Sequence, residues 1–206
     1  MFRQATLFGD AEPTPDATFS ALRRLDLDAR SWVDHAPGWL AGSDAVYDAL
    51  VERLAWRQRE VVMWGRPLPE PRLSSWWRPD HGAEPLPVLA ELRRLLSDRY
   101  GVAFSSIGFN WYRDGKDSVA WHADRKGPLV VNPTIAIVSV GSARPFRLRP
   151  MAGGPSVGAP TRVFDLGQGD LLVMGGACQH EWEHVVPKSR GAGPRISITF
   201  RHDGVY

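Results

Sequence analysis

A succession of short β-forming runs fills the second half of this chain and restricts its fold more than any other feature. From residue 102 onward the sequence reads "SSIGFNWY", "SVAWHAD", "NPTIAIVSVG", "PFRLRP", "TRVFDL", "GDLLVMGG", "HEWEHVVP" and "RISITFRH", divided by Gly, Pro and Asp turn signals. Runs of this length, rich in β-branched and aromatic residues, make strands, and many in succession make a sandwich or barrel. Two helical stretches precede them. "SDAVYDALVERLAWR" has Val46, Ala49, Leu50 and Leu54 on one face behind Ser43 as N-cap. "PVLAELRRLLSDRYG" has Leu89, Leu92 and Leu96 in helical spacing and Gly101 just past its end. The expected class is mainly β with N-terminal helices.

The 206 residues suffice for one domain with a sizeable core, expected over residues 19–206. Residues 1–18, with "GDAEPTPDAT", lack periodicity and read as a flexible tail. The formal net charge is only +2, so a polyanionic partner must be sought in the distribution of charge. A single cysteine, Cys178, excludes an internal disulfide and reads as a small buried residue, which makes a reducing cytoplasm the expected compartment. No apolar run approaches the ~20 residues of a membrane-spanning helix, and a monomer is the default.

The chemistry concentrates in "SVAWHADRKG". Strand alternation puts Ser118, Ala120, His122 and Asp124 on one face, so an imidazole and a carboxylate point the same way. An isolated pair of this kind is ordinarily a solvated surface feature. A third candidate lies downstream, where "QHEWEHVVP" puts His180, Trp182 and His184 on one strand parity. Two His and one carboxylate can hold one face of an octahedral metal and leave positions open for oxygen, and the same set suits a catalytic zinc. In "RISITFR", Arg195, Ser197, Thr199 and Arg201 share a face. Alternation alone favours solvent for that face, whereas two arginines turned inward require an anion. "FNWY" likewise pairs Asn110 with Tyr112, and a hairpin turn at "RDGK" would bring its strand beside His122 and Asp124.

Taken in order, "FNWYRDGKDSVAWHAD", "IAIVSVGSARPFRLR", "GDLLVMGGACQHEWEH" and "PRISITFR" resemble the AlkB family of iron(II)- and 2-oxoglutarate-dependent dioxygenases. The resemblance is strong over residues 107–201 and weaker over 40–106. It implies a double-stranded β-helix (jelly-roll) core over 102–206. It implies iron(II) held by His122, Asp124 and His184, with His180 left as a polar strand residue. It further implies that Arg195 and the Tyr112 hydroxyl grip the distal carboxylate of 2-oxoglutarate, with Asn110 and Arg201 near the carboxylate beside the keto group. The implied reaction is O2-dependent demethylation of N-alkylated bases in DNA or RNA, which releases formaldehyde, succinate and carbon dioxide.

Residues 40–106 are expected to supply the helices and a substrate-recognition lid. From Trp56 to Pro79 five arginines face two glutamates, among Trp56, Trp64, Trp76 and Trp77. Arginines interleaved with aromatics suit phosphate contact and base stacking, and the resemblance singles out Arg72, Trp76 and Trp77. There are two departures from the family pattern. Lys126 stands where an acidic residue is common, and it offers no acceptor to a base amine. Ser197 stands where Asn is common, and its hydroxyl can still bond the co-substrate. Two other readings remain at this point: a 2-oxoglutarate oxygenase acting on protein or a small molecule, and a catalytically silent nucleic-acid-binding module.

Overall fold

The computed structural model describes residues 12–63, 65–124 and 131–202. Strands β1 (Thr14–Pro15), β2 (Arg23–Asp26), β3 (Ser31–Ala36) and β4 (Leu40–Ala41) lead into helix α1 (Ser43–Arg53). A hairpin of β5 (Glu60–Met63) and β6 (Arg66–Pro69) and then β7 (Leu73–Trp77) come before helix α2 (Pro87–Tyr100). The remaining elements are β8 (Phe104–Tyr112), β9 (Val119–His122), β10 (Ile135–Gly141), β11 (Arg144–Pro150), β12 (Arg162–Leu166), β13 (Leu171–Gly176), the helical turn α3 (Cys178–Glu181), β14 (Trp182–Val186) and β15 (Arg195–His202).

β1 pairs with β4 and β5 with β6 in two small sheets, while the other eleven strands form two larger antiparallel ones. One has seven strands in the order β2-β3-β13-β10-β15-β8-β7, and the other has four in the order β12-β11-β14-β9. From β8 to β15 the chain changes sheet at every step except between the paired strands β11 and β12, and this makes the expected jelly roll. Its middle strand, β10, is buried along its whole length, so "IAIVSVG" reads as a nearly continuous apolar run. Ala136, Val138 and Val140 face α1 and α2 across a core with Leu50, Leu89, Leu92, Leu96, Ile198 and Phe200. Ile135 and Ile137 face the four-stranded sheet across a second core with Phe146, Leu148, Leu172, Met174 and Trp182. Each such side chain contributes about 1.5–3 kcal/mol by leaving water. Polar residues on this inner face therefore need partners or a ligand.

Several local expectations are corrected. The helix α2 ends as read, with Gly101 at φ +63° as its left-handed cap, but α1 is entered through Gly42 at φ +64°, with Ser43 already helical. The turn "RDGK" does not close a hairpin: β8 pairs with β15 and β7, whereas β9 pairs with β14 in the other sheet. The tail does not extend to residue 18, because Thr14–Pro15 pairs with Leu40–Ala41 and Asp16 bonds the Thr18 and Ser20 hydroxyls. Phe19 then stacks on Trp39 with ring centroids 5.5 Å apart. β2 and β3, which enlarge the main sheet, lie in a stretch to which sequence reading assigned no element.

Candidate metal centre and anion site

The inward face of β8 and β15 is polar where two sheets should meet on apolar side chains. The register explains how. Arg195 lies opposite Tyr112, Ser197 opposite Asn110, Thr199 opposite Gly108 and Arg201 opposite Ser106, while Ser139 of β10 lies opposite Ser197. Arg195, Ser197, Thr199 and Arg201 are all buried, so the solvent-facing reading of "RISITFR" is excluded.

Across from that face, β14 and β9 place His184 directly opposite His122, with a register shift next to the pair. Their rings stand 4.2 Å apart. Asp124, two residues beyond the end of β9, brings Oδ1 to 3.7 Å from His122 Nε2 and 3.9 Å from His184 Nε2. Ligand atoms of all three residues lie within 4.8 Å of one another. This is the spacing of groups that share one ion rather than bond each other.

The protonation states suit that role. His122 Nδ1 donates to the Ala120 carbonyl at 2.8 Å, which turns Nε2 toward the other two groups. Burial, reinforced by His122, lowers the His184 imidazole to about 3, so it is neutral at physiological pH. Burial would raise the Asp124 carboxyl, but the Arg201 guanidinium and the two imidazoles outweigh it and hold it below the ordinary range. Arg201 Nε donates to Asp124 Oδ2 at 2.7 Å, which occupies one carboxylate oxygen and leaves Oδ1 for the ion. The main chain of Asp124 is fixed as well, since its N–H donates to Gln179 Oε1 at 2.9 Å.

A candidate anion site lies on the same inward face, six residues along β15 from the Arg201 that holds Asp124. Arg195 is buried; its Nη2 donates to Ser139 Oγ at 2.5 Å, but Nε and Nη1 have no partner among the described residues. Burial lowers the guanidinium to about 10, so it keeps its charge at neutral pH. Burial pushes the Tyr112 phenol up, against the pull of Arg195, Arg72 and Arg144, so its hydroxyl stays protonated and can donate. A buried cation with two idle donor nitrogens fits a carboxylate. The residues present thus suit a metal ion and a carboxylate ligand side by side.

The lid residues divide. Trp76 and Trp77 alternate on β7, and only Trp76 faces the site, with Arg201 5.3 Å from its ring centroid. A Cβ at Gly108 would lie 2.7 Å from both Arg201 Nη1 and Trp76 Cζ3, so glycine is what lets these two side chains approach. Trp77 is corrected: it is buried among Ile107, Leu89 and Leu92 and donates to the Gly82 and Ala83 carbonyls. Arg72 is also engaged internally, with Nη2 on Glu70 Oε1 at 3.0 Å and Nε on Asn110 Oδ1 at 3.1 Å. It fixes the Asn110 amide so that the NH2 group is left for the site. Trp56 packs against Trp111 at 5.3 Å. Lys126 and Trp64 lie outside the described residues.

His180 is not on a strand: it sits on α3, exposed, with its ring against the Val131 carbonyl. Cys178 is buried, and burial raises its thiol to about 12. Sequence reading passed over Gln179, Ser139 and Gly108. Ser139 had a signal, being the one hydroxyl inside "IAIVSVG"; Gln179 had none, since its partner is a main-chain N–H 55 residues away.

A jelly roll with two histidines and a carboxylate beside a buried arginine defines a metal-dependent oxygenase fold and site. Comparison with known proteins agrees. The family described as the 2OG-Fe(II) oxygenase superfamily matches residues 48–201. Alpha-ketoglutarate-dependent dioxygenase alkB homolog 3 of Mus musculus is 35% identical over 182 residues, covering 80% of this chain and 64% of that protein. DNA oxidative demethylase ALKBH2 of Arabidopsis thaliana is 31% identical over 189 residues, covering 75% of this chain and 60% of that protein. The chain thus spans somewhat under two-thirds of the length of these relatives. The solved structure of OsALKBH1 superposes with a TM-score of 0.59 at 14% identity, over 88% of this chain and 99% of that one. The chain belongs to the 2OG-Fe(II) oxygenase superfamily, and the curated relatives it resembles are of the AlkB type. The cofactor set that goes with this membership is iron(II), 2-oxoglutarate and O2.

Proposed function

We propose that this protein removes alkyl groups oxidatively from N-alkylated bases in DNA or RNA, acting as a monomer in a reducing, cytoplasmic compartment. The observation that carries the reading is the adjacency of a one-ion donor set to a buried arginine with idle donors. Relatives named for alkB-type dioxygenase and DNA oxidative demethylase activity support the choice of substrate.

His122 Nε2, His184 Nε2 and Asp124 Oδ1 would hold iron(II). When bound, iron(II) with 2-oxoglutarate and O2 supplies the oxidation that hydroxylates the N-alkyl carbon, which leaves as formaldehyde while the co-substrate leaves as succinate and carbon dioxide. The protein's part is positional. Arg195 and the protonated Tyr112 hydroxyl bind the distal carboxylate, and Asn110, Ser197 and Arg201 line the face near the other. Arg201 keeps Asp124 ionised and correctly turned. Trp76 offers an aromatic surface where a base, once out of its stack, can rest. The exposed arginines at 57, 59, 66 and 78 suit the phosphate backbone.

The test is aerobic incubation with iron(II), 2-oxoglutarate and oligonucleotides carrying 1-methyladenine, 3-methylcytosine or etheno adducts. Mass spectrometry would follow bases and succinate together. Repair coupled to succinate in the wild type, and neither product with Asp124→Ala, is the expected result. Succinate release that no nucleic acid stimulates would overturn the substrate assignment.

A further inference from the structure

Arg144, at the start of β11, is one of the largest fully buried side chains, and no role above uses it. Its Nη1 donates to the Asp114 carbonyl at 2.8 Å, and its Nη2 to the Asp117 and Pro187 carbonyls at 2.7 and 3.0 Å. Its Nε has no partner among the described residues. None of these bonds ends on a carboxylate. The Asp117 carboxylate is occupied by Arg113, through Nε at 2.8 Å and Nη2 at 3.0 Å.

The position of this charge is informative. The Arg144 guanidinium lies 5.6 Å from the Tyr112 ring centroid, and the Arg195 guanidinium lies 5.5 Å from the same centroid. Two buried cations thus share one phenol ring, with carbonyl and hydroxyl oxygens as their hydrogen-bond acceptors. Burial lowers both guanidiniums, and Arg144 adds to the lowering of Arg195, while Asp117 and Asp114 offset part of the effect at Arg144. Such an arrangement is costly in the empty protein and is relieved by an anion.

We infer that Arg144 is a specificity-determining residue of the co-substrate site: its charge beside Arg195 makes that end select a 2-oxo acid with a second, ionised carboxylate. This rests on the assignment of Arg195 and Tyr112 to the distal carboxylate made above. A single arginine can bind a monoacid's neutral tail only poorly, but a second buried positive charge raises the preference for a dianion further. The interaction acts through space and through Tyr112, so Arg144 need not touch the ligand. The same guanidinium also fastens the turn after β8 to the turn after β14, which meet where Ser189 N–H donates to the Gly115 carbonyl at 2.9 Å. A purely structural role would rest on that fastening alone.

The two roles separate in one experiment. Dissociation constants for 2-oxoglutarate and for the monoacid 2-oxobutanoate are measured by tryptophan quenching on the Mn(II)-loaded full chain, without turnover. Arg144→Gln keeps a hydrogen-bonding head without the charge, and Arg144→Lys keeps the charge with a different head. Arg144→Gln should weaken 2-oxoglutarate by about tenfold or more and leave 2-oxobutanoate nearly unchanged, while Arg144→Lys retains most of the discrimination. An equal loss for both acids in Arg144→Gln, or a loss of discrimination in Arg144→Lys as large as in Arg144→Gln, would overturn the inference and leave Arg144 a structural tie. If Arg144→Gln does not fold, Arg144→Met, which also removes the charge, is read in the same way: a selective loss of 2-oxoglutarate supports the inference and an equal loss for both acids overturns it. Failure of the wild type to bind 2-oxoglutarate would count against the co-substrate assignment instead.

Discussion

Asp124 shows how much of this site is settled atom by atom. One oxygen is given to Arg201 and the other is turned to the two imidazoles. Removing the arginine strands a buried carboxylate, which costs about 3–5 kcal/mol. Arg201→Met should therefore lower stability by that order in urea unfolding of the metal-free protein, and Mn(II) should restore part of it. An unchanged midpoint without metal would mean that the pair contributes nothing. Gly108→Ala forces a Cβ into Arg201 and Trp76 and should cost about 1–3 kcal/mol while weakening Mn(II) binding; calorimetric titration would detect it. At this scale residue type left His180 and His184 open, and the family resemblance pointed to the cluster of His122, Asp124 and His184 that the fold brings together. Gln179 and Gly108 were not legible, because a main-chain bond across the fold and a missing Cβ leave no pattern in the chain.

The strand β7 carries the element-scale lesson. Sequence reading placed "LSSWW" only within a substrate lid, and nothing in it says which tryptophan meets the site. Pairing with β8 decides it, setting Trp76 against Gly108 and Trp77 against Ile107. Trp77→Ala should cost about 3–5 kcal/mol of stability by opening the core between the main sheet and α2. Trp76→Ala should cost far less stability yet weaken binding of a methylated oligonucleotide several-fold, as read by fluorescence anisotropy at fixed salt. Equal effects of the two substitutions would contradict the division of faces. The two helices were legible because one face of each repeats at 3.6 residues. β14 was misjudged at its start, since "CQHE" completes a helical turn before Trp182 begins the strand.

At the scale of the molecule, β2, β3 and the turn between them, to which sequence reading assigned no element, tie the edge of the main sheet to residues far along the chain. Asp28 is central to this. Burial would raise its carboxyl, but bonds from the Ser156 hydroxyl, the Trp182 indole and the Arg30 and Ser31 N–H groups lower it to about 2. A carboxyl lowered on folding stabilises above its unfolded value and loses that contribution as pH falls through its folded value. Stability should accordingly decline between about pH 4 and pH 2, and Asp28→Asn should flatten that part of the profile in thermal unfolding. The eight strands after residue 102 were legible, and the family resemblance supplied the jelly-roll class; the crossing of "RDGK" from one sheet to the other was not legible, because a tight turn signal fits a hairpin equally well. That crossing is what sets the face bearing Arg195 against the one bearing His122, Asp124 and His184. The central claim is that these opposed faces hold one metal ion and one dicarboxylate next to each other. Its most direct test is anaerobic titration of the iron(II)-loaded protein with 2-oxoglutarate, followed by visible absorption. The account predicts a saturable charge-transfer band that is lost in Asp124→Ala and requires much more 2-oxoglutarate in Arg195→Ala; an identical band in all three proteins would contradict it.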